Sequence, residues 1–157
     1  MFTKETILAA QARVKSGADY PHLVQELKGM GIRSYVHFVA EGSNVYQGEG
    51  GHSVTIGHAP EPIPVADQPS AAAFRHSLTL HQQGKTDYPT FCRQAGEAGV
   101  DKWTSDLAAM TGTFSVSGTV YSSIWAFPTG GWSRWRFSSS HRPKSSAFSM
   151  RDLRHGA

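Results

Sequence analysis

Cysteine is almost missing from this chain: Cys92 is the single one among 157 residues. No intrachain disulfide can form, and the usage fits a reducing compartment, so a cytoplasmic location is expected. Long apolar runs are missing too. No stretch of about 18 apolar residues occurs, and no segment reads as a membrane span. The opening "MFTKETILAAQARVKSG" interleaves charges with its apolar positions and reads as an amphipathic helix rather than a signal peptide. Charge is sparse, at 17% of residues, and uneven. Residues 1–114 carry 9 Lys/Arg against 11 Asp/Glu, whereas residues 115–157 carry 6 Lys/Arg against Asp152 alone. The net charge of +3 therefore belongs to the C-terminal part. A basic-protein argument for nucleic acid does not apply to the body.

What is present is a patterned chain long enough to bury a core as one domain. Residues 3–16 read as a helix with Ile7, Leu8, Ala10 and Val14 forming a partial apolar face. A second helix runs from Pro21 to about Gly29, with Gly29 and Gly31 ending it. "RSYVHFVA" then alternates with period two, Tyr35, His37 and Val39 on one face and Val36 and Phe38 on the other, which is a strand. "VYQG" and "HSVTIG" add two more strands. The segment "HAPEPIPVADQPS" holds four prolines in 13 residues and is a connector without regular structure. After it the order repeats. "SAAAFRHSLTLHQQ" is helical with Phe74, Leu78 and His81 on one face, Pro89 opens another helix to about Ala98, and "VDKWTSDLA" and "GTFSVSG" are strands.

The tripeptide Asp-Tyr-Pro occurs twice, at 19–21 and 87–89, 68 positions apart. At that offset Gly31 matches Gly99 and Ala40 matches Ala108, while Leu23/Phe91, Val24/Cys92, Ile32/Val100, Tyr35/Trp103 and Val39/Leu107 keep their character. The matches fall on helix starts, helix stops and core positions, which suggests a duplicated half-domain. The tripeptide itself reads as a helix-entry joint. Asp19 and Asp87 cap the first turn, Tyr20 and Tyr88 are extended as residues before proline, and Pro21 and Pro89 take the first helical position.

"HQQGKTDYPTFCRQAGEAGVDKWTSDLAAMT", residues 81–111, resembles the most recognisable segment of the YbcV-like family of small bacterial proteins, some labelled phage-envelope-protein-like. "VKSGADYPHLVQELKGMGIRSYVHFVAEGSNVYQGEGG" resembles the same family, and the likeness covers roughly residues 1–114. It implies a small bacterial, prophage-associated protein of unknown function, and it carries over no catalytic residues. After Thr113 the chain departs from the family pattern, and beyond Pro128 its composition shifts to Ser, Arg and Trp, as a frameshift or read-through would produce.

Few residues form a recognisable chemical set. Gly84-Lys85-Thr86 is not a phosphate loop: that loop needs a glycine at position 79, which is Thr79, and a strand before it. His52 and His58, and His76 and His81, are not spaced as metal pairs, and no His-Glu-x-x-His pattern appears. A composite site from His22, His37, His52 or His81 with Asp87 is outweighed by structural or solvated histidines, so no metal and no cofactor are expected. Cys92 occupies the position of Val24 and reads as a small core residue more readily than as a nucleophile. Tyr35 and Trp103 read as core, or as walls of a pocket between the halves. The tail segment "GGWSRWRF" interleaves Trp132, Trp135 and Phe137 with Arg134 and Arg136. It is an irregular appendage, or a surface for single-stranded nucleic acid or an anionic membrane.

The expected fold is α+β: one domain over residues 1–126, with halves about 1–57 and 71–126 joined by the connector 58–70. Two helix–helix–meander units would form a mainly antiparallel sheet with helices packed on one face. Residues 127–157 form a basic, irregular tail. The function expected first is non-enzymatic binding or assembly, with a homodimer as the partner state. The alternative is a small-molecule-binding protein or enzyme with a pocket between the halves, drawn from His81, Asp87, Tyr88, Cys92, Tyr20, Tyr35 and Trp103. Tail-mediated binding to nucleic acid or a membrane surface comes third.

Overall fold

The structure, a computed structural model, describes residues 1–116 and the backbone of two further strands at 119–123 and 137–139. Thr3 opens the first helix, α1 (Lys4–Gln11), through a reciprocal cap in which its side chain and that of Thr6 each accept from the other's backbone N–H. The helix stops at Gln11, short of the expected residue 16, and Ser16 leads instead into a 3₁₀ turn, Gly17–Asp19. Helix α2 (Tyr20–Gly29) follows directly. Strands β1 (Ile32–Phe38), β2 (Ser43–Gly48) and β3 (Ser53–Ile56) form a meander. Residues 57–70 contain neither helix nor strand. Beyond them come α3 (Ala71–Gln82), α4 (Tyr88–Glu97), β4 (Val100–Asp106) and β5 (Thr111–Val116).

The fold is α+β: residues 1–116 form four helices and a five-stranded antiparallel sheet in the order β3-β2-β1-β4-β5. The strands β6 (Thr119–Ser123) and β7 (Phe137–Ser139) extend the β5 edge by antiparallel pairing. Period-two alternation decides which face is covered. Tyr35, His37 and Val39 are buried, as are Trp103, Ser105 and Leu107, while Lys102 and Asp106 on the opposite face are exposed. The helices lie on the buried face, where Ile7, Val24, Leu27, Phe74, Leu78 and Phe91 join the sheet residues in one core. Among the described residues no helix is long and apolar enough to cross a membrane.

The central strand pair is symmetric in register. β1 and β4 pair antiparallel about Val36↔Thr104, so that Tyr35 faces Ser105 and His37 faces Trp103. Val36 and Thr104 are themselves 68 positions apart. The β1/β2 and β4/β5 pairs share one register at that offset, Val36↔Val45 and Thr104↔Thr113, and each has an irregularity at the equivalent place, Ile32/Ser34 and Val100/Lys102. The Val39 N–H donates to the Asp101 carbonyl at 2.9 Å, and the Leu107 N–H donates to the Arg33 carbonyl at 2.8 Å. Gly31 and Gly99, which end α2 and α4, both adopt positive φ, +90° and +82°.

The two Asp-Tyr-Pro joints differ from the expected geometry and from each other. Tyr20 and Tyr88 are the first helical residues, not extended ones, and each proline is second. Helical contacts outweigh the steric bias that a following proline imposes. Asp87 is extended and its side chain accepts from the Thr90 N–H at 2.8 Å, a true N-cap. Asp19 is helical and caps nothing in α2; its carboxylate accepts from the Lys15 and Ser16 N–H groups and closes the preceding 3₁₀ turn. Gly84 has φ +73° and follows the end of α3, the helix-stopping role that the sequence suggested for it.

Of the tail, only the backbone of Phe137–Ser139 is described. The expectations attached to Trp132, Arg134, Trp135 and Arg136 fall outside the described residues.

Candidate functional site

Between the helices and the covered sheet face lies a mostly apolar cavity of about 550 Å³. Its floor is four strand aromatics, Tyr35, Tyr46, Trp103 and Phe114, each at most 6% exposed. They are two pairs at the 68-residue offset: Tyr35 with Trp103, and Tyr46 with Phe114. The walls come from Leu23 and Leu27 of α2, Leu78 and His81 of α3, and Phe91 of α4. At the rim stand Leu8 and Tyr88, 43% and 46% exposed, together with the exposed Lys15, Asp87 and Pro89.

The tyrosines of the repeated tripeptide both reach this cavity, and each crosses to the opposite half. The Tyr20 hydroxyl lies 2.9 Å from Ser105 Oγ on β4, and the Tyr88 hydroxyl lies 3.0 Å from His37 Nδ1 on β1. Ser105 and His37 are again 68 positions apart. Tyr20 also meets the Tyr35 hydroxyl at 2.5 Å. Although the Tyr88 ring is half exposed, its hydroxyl is the inward end. Burial raises the phenol values of Tyr20, Tyr35, Tyr46 and Tyr88 above their ordinary 10, so all four are neutral at physiological pH.

Behind this layer His37, only 1% exposed, stacks on Trp103 at 4.2 Å. The Asn44 amide oxygen lies 3.0 Å from His37 Nδ1, so the proton sits on Nδ1 and the imidazole donates to Asn44 and towards Tyr88. Its Nε2 is then the acceptor, 3.7 Å from the Cys92 sulfur. Burial lowers the His37 value to about 4, against a smaller opposing effect of the Asn44 hydrogen bond. Burial pushes the Cys92 thiol up to about 12. The pair is a neutral imidazole and a neutral thiol, not an activated ion pair. His81 donates from Nδ1 to the Thr86 carbonyl at 3.1 Å and stacks on Phe91 at 4.5 Å; burial lowers its value as well. The Asp87 carboxylate is held low, chiefly by its hydrogen bonds with Thr90.

Of the seven residues singled out in the sequence, His81, Asp87, Tyr88, Tyr20, Tyr35 and Trp103 line the cavity. Cys92 does not; it is buried behind His37. Sequence reasoning missed Tyr46, Phe114 and Gln11. The offset of 68 that paired Tyr35 with Trp103 also pairs Tyr46 with Phe114, and that signal was available. Gln11 had none, because its partner Tyr46 is 35 residues away. Among the described residues no group of three or more His, Cys, Asp or Glu side chains could hold a metal ion. His52 instead uses its ring nitrogen on the Phe2 carbonyl at 2.8 Å.

The fold and site define an α+β protein whose helices and antiparallel sheet enclose an aromatic-floored cavity. The chain belongs to the family described as "Protein of unknown function (DUF1398)", whose model matches residues 9–120. That span contains both Asp-Tyr-Pro joints and nearly all of the cavity lining, but Leu8 lies outside it. No curated protein matches the chain.

Proposed function

We propose that this protein binds a small organic molecule in the cavity between its two halves, without chemical turnover. The observation that carries the reading is the cavity itself. At about 550 Å³ it falls within the range of about 300–1,000 Å³ typical of ligand pockets, and an apolar wall with a few convergent polar groups is their usual composition. Absence of turnover is supported by the state of the ionisable groups. The buried thiol and imidazole are neutral, and the Asp87 carboxylate is engaged as a helix cap. A neutral fluorescent probe, N-phenyl-1-naphthylamine, tests the reading. Saturable binding near one equivalent is expected for the full chain. Leu23→Trp, which fills the cavity, and Val14→Trp, nearer its rim, should abolish it while far-UV circular dichroism is kept. Non-saturable binding, or equal binding by both folded variants, refutes the reading.

We also propose that the halves descend from one duplicated unit. The common register of β1/β2 and β4/β5 and the crossed Tyr20–Ser105 and Tyr88–His37 contacts support this. A profile built from first halves of family members should align to second halves at an offset of 68 without gaps through the β1/β4 region. A different offset there counts against descent from one unit. The narrower kinship with YbcV-like proteins, and the prophage association it implies, belong to the same proposal.

A further inference from the structure

The two halves of the cavity floor match in position but not in chemistry. On the first half the floor carries the hydroxyls of Tyr35 and Tyr46, with Gln11 and Asn44 beside them; on the second half the equivalents of the two tyrosines are Trp103 and Phe114, and Asn44 is matched by Gly112. The floor therefore carries hydroxyls at one end and the aromatic faces of Trp103 and Phe114 at the other. Among the described residues no formal charge reaches it. Lys15 and Asp87 are the charged residues of the lining, and both are exposed at the rim.

At the polar end the Tyr46 hydroxyl proton is left open. The Gln11 amide N–H donates to the Tyr46 hydroxyl oxygen at 2.7 Å. Tyr46 is 2% exposed and lines the cavity, and among the described residues its own O–H proton meets no acceptor. A buried hydroxyl left without an acceptor costs free energy of the order of an unmade hydrogen bond. An acceptor atom delivered into the cavity would remove that cost. An ionised acceptor would not serve, because bringing a charge to a floor without a counter-ion carries a desolvation penalty several times larger than one hydrogen bond.

Building on the pocket reading, we infer that the ligand is an uncharged, flat molecule of two or three rings. It carries a carbonyl-type acceptor that takes the Tyr46 proton, while its hydrocarbon end lies on Trp103 and Phe114. The size follows from the volume: a dry cavity of about 150 Å³ accommodates benzene, and this one is between three and four times larger.

A matched set of probes tests the inference by calorimetry or by quenching of intrinsic fluorescence: 2-acetylnaphthalene, 2-ethylnaphthalene and 2-naphthoate. With the full chain, the ketone should bind about five-fold more tightly than the hydrocarbon, the worth of about one net hydrogen bond, and at least about ten-fold more tightly than the carboxylate. Tyr46→Phe should bring the ketone-to-hydrocarbon ratio, measured within that variant, to about one. Gln11→Leu, at the partly exposed end of the pair, should reduce the ratio and serves as the second variant if Tyr46→Phe does not fold. Equal affinities for ketone and hydrocarbon, or tightest binding of the carboxylate, overturn the ligand assignment while the pocket reading stands. Failure of all three probes together with N-phenyl-1-naphthylamine overturns both.

Discussion

Acidification should destabilise this protein well above the range where carboxylates titrate, and His37 is the reason. The imidazole is 1% exposed, and its described neighbours are Asn44 on β2, Tyr88 and Cys92 on α4 and Trp103 on β4. None of them carries a charge that would favour a protonated ring. Burial brings its value from 6.5 to about 4. A histidine with a depressed folded value binds protons more readily in the unfolded chain, so its contribution is complete above about pH 6.5 and is lost as pH falls towards 4. At 1.36 kcal/mol per unit, about 2.5 kcal/mol should be lost between about pH 7.5 and 4.5. His81, lowered by burial in the same direction, adds to the loss. Asp19 and Asp87 act only below their ordinary value of 3.8 and leave this window clear. Urea unfolding at constant m-value measures the loss, and the imidazole proton shifts of folded protein give the His37 midpoint directly. His37→Gln should flatten the dependence to the part that His81 supplies. A folded-state midpoint near 6.5, or equal stability at both ends of the window, would refute the reasoning.

Other expectations follow from single contacts. Cys92, with its thiol at about 12, should react with a disulfide reagent at pH 8 about a thousand-fold more slowly in the folded than in the urea-unfolded chain, because the thiolate fraction is that much smaller; rates within ten-fold would contradict its burial. Gly31→Ala should cost about 1–2 kcal/mol from positive φ alone, since a Cβ there meets nothing within 4 Å. Gly99→Ala should cost more, because its Cβ would also sit 2.9 Å from Pro69 Cα, a clash that forces the backbone to shift; equal melting temperatures for the two variants would contradict the packing. Leu27→Ala, at a fully buried wall of the cavity, should cost about 2–5 kcal/mol, read from denaturant midpoints.

Much of the architecture was legible in the sequence because local signals agreed with one another. Period two in "RSYVHFVA" placed Tyr35, His37 and Val39 on the covered face, where they are buried. The proline-rich connector contains no regular element, and Gly31, Gly84 and Gly99 end helices with positive φ. Helix α1 ends at Gln11, before the expected residue 16, although Val14 continues the apolar spacing. Val14 faces the cavity from a non-helical segment, and spacing alone does not separate the two. The joints were misread in a more informative way. Treating Tyr20 and Tyr88 as extended residues followed the local proline rule. Their hydroxyls bond across to Ser105 and His37, and contacts 85 and 51 residues away are invisible to a local rule.

Asp-Tyr-Pro is therefore both a helix-entry joint and a source of cavity wall. Placing tyrosine at the first helical position, directly before proline, fixes where α2 and α4 begin and aims a ring at the opposite half. Each ring then helps to hold its helix over the sheet and also forms part of the cavity wall. Near-symmetry of register sets the dimensions of the cavity, because equivalent strands carry equivalent floor positions. Departure from symmetry sets its chemistry. Had Trp103 and Phe114 been tyrosines, the floor would hold two more buried hydroxyls, each needing a partner. With tyrosines on one half only, the hydroxyls are confined to one end, and the other end presents the rings of Trp103 and Phe114. A Phe114→Tyr substitution puts this to work. It should add a hydroxyl at the apolar end and weaken 2-ethylnaphthalene about five-fold or more, while far-UV circular dichroism is retained. Unchanged affinity would mean that the ligand end of the cavity lies away from Phe114, and the assigned orientation would be wrong.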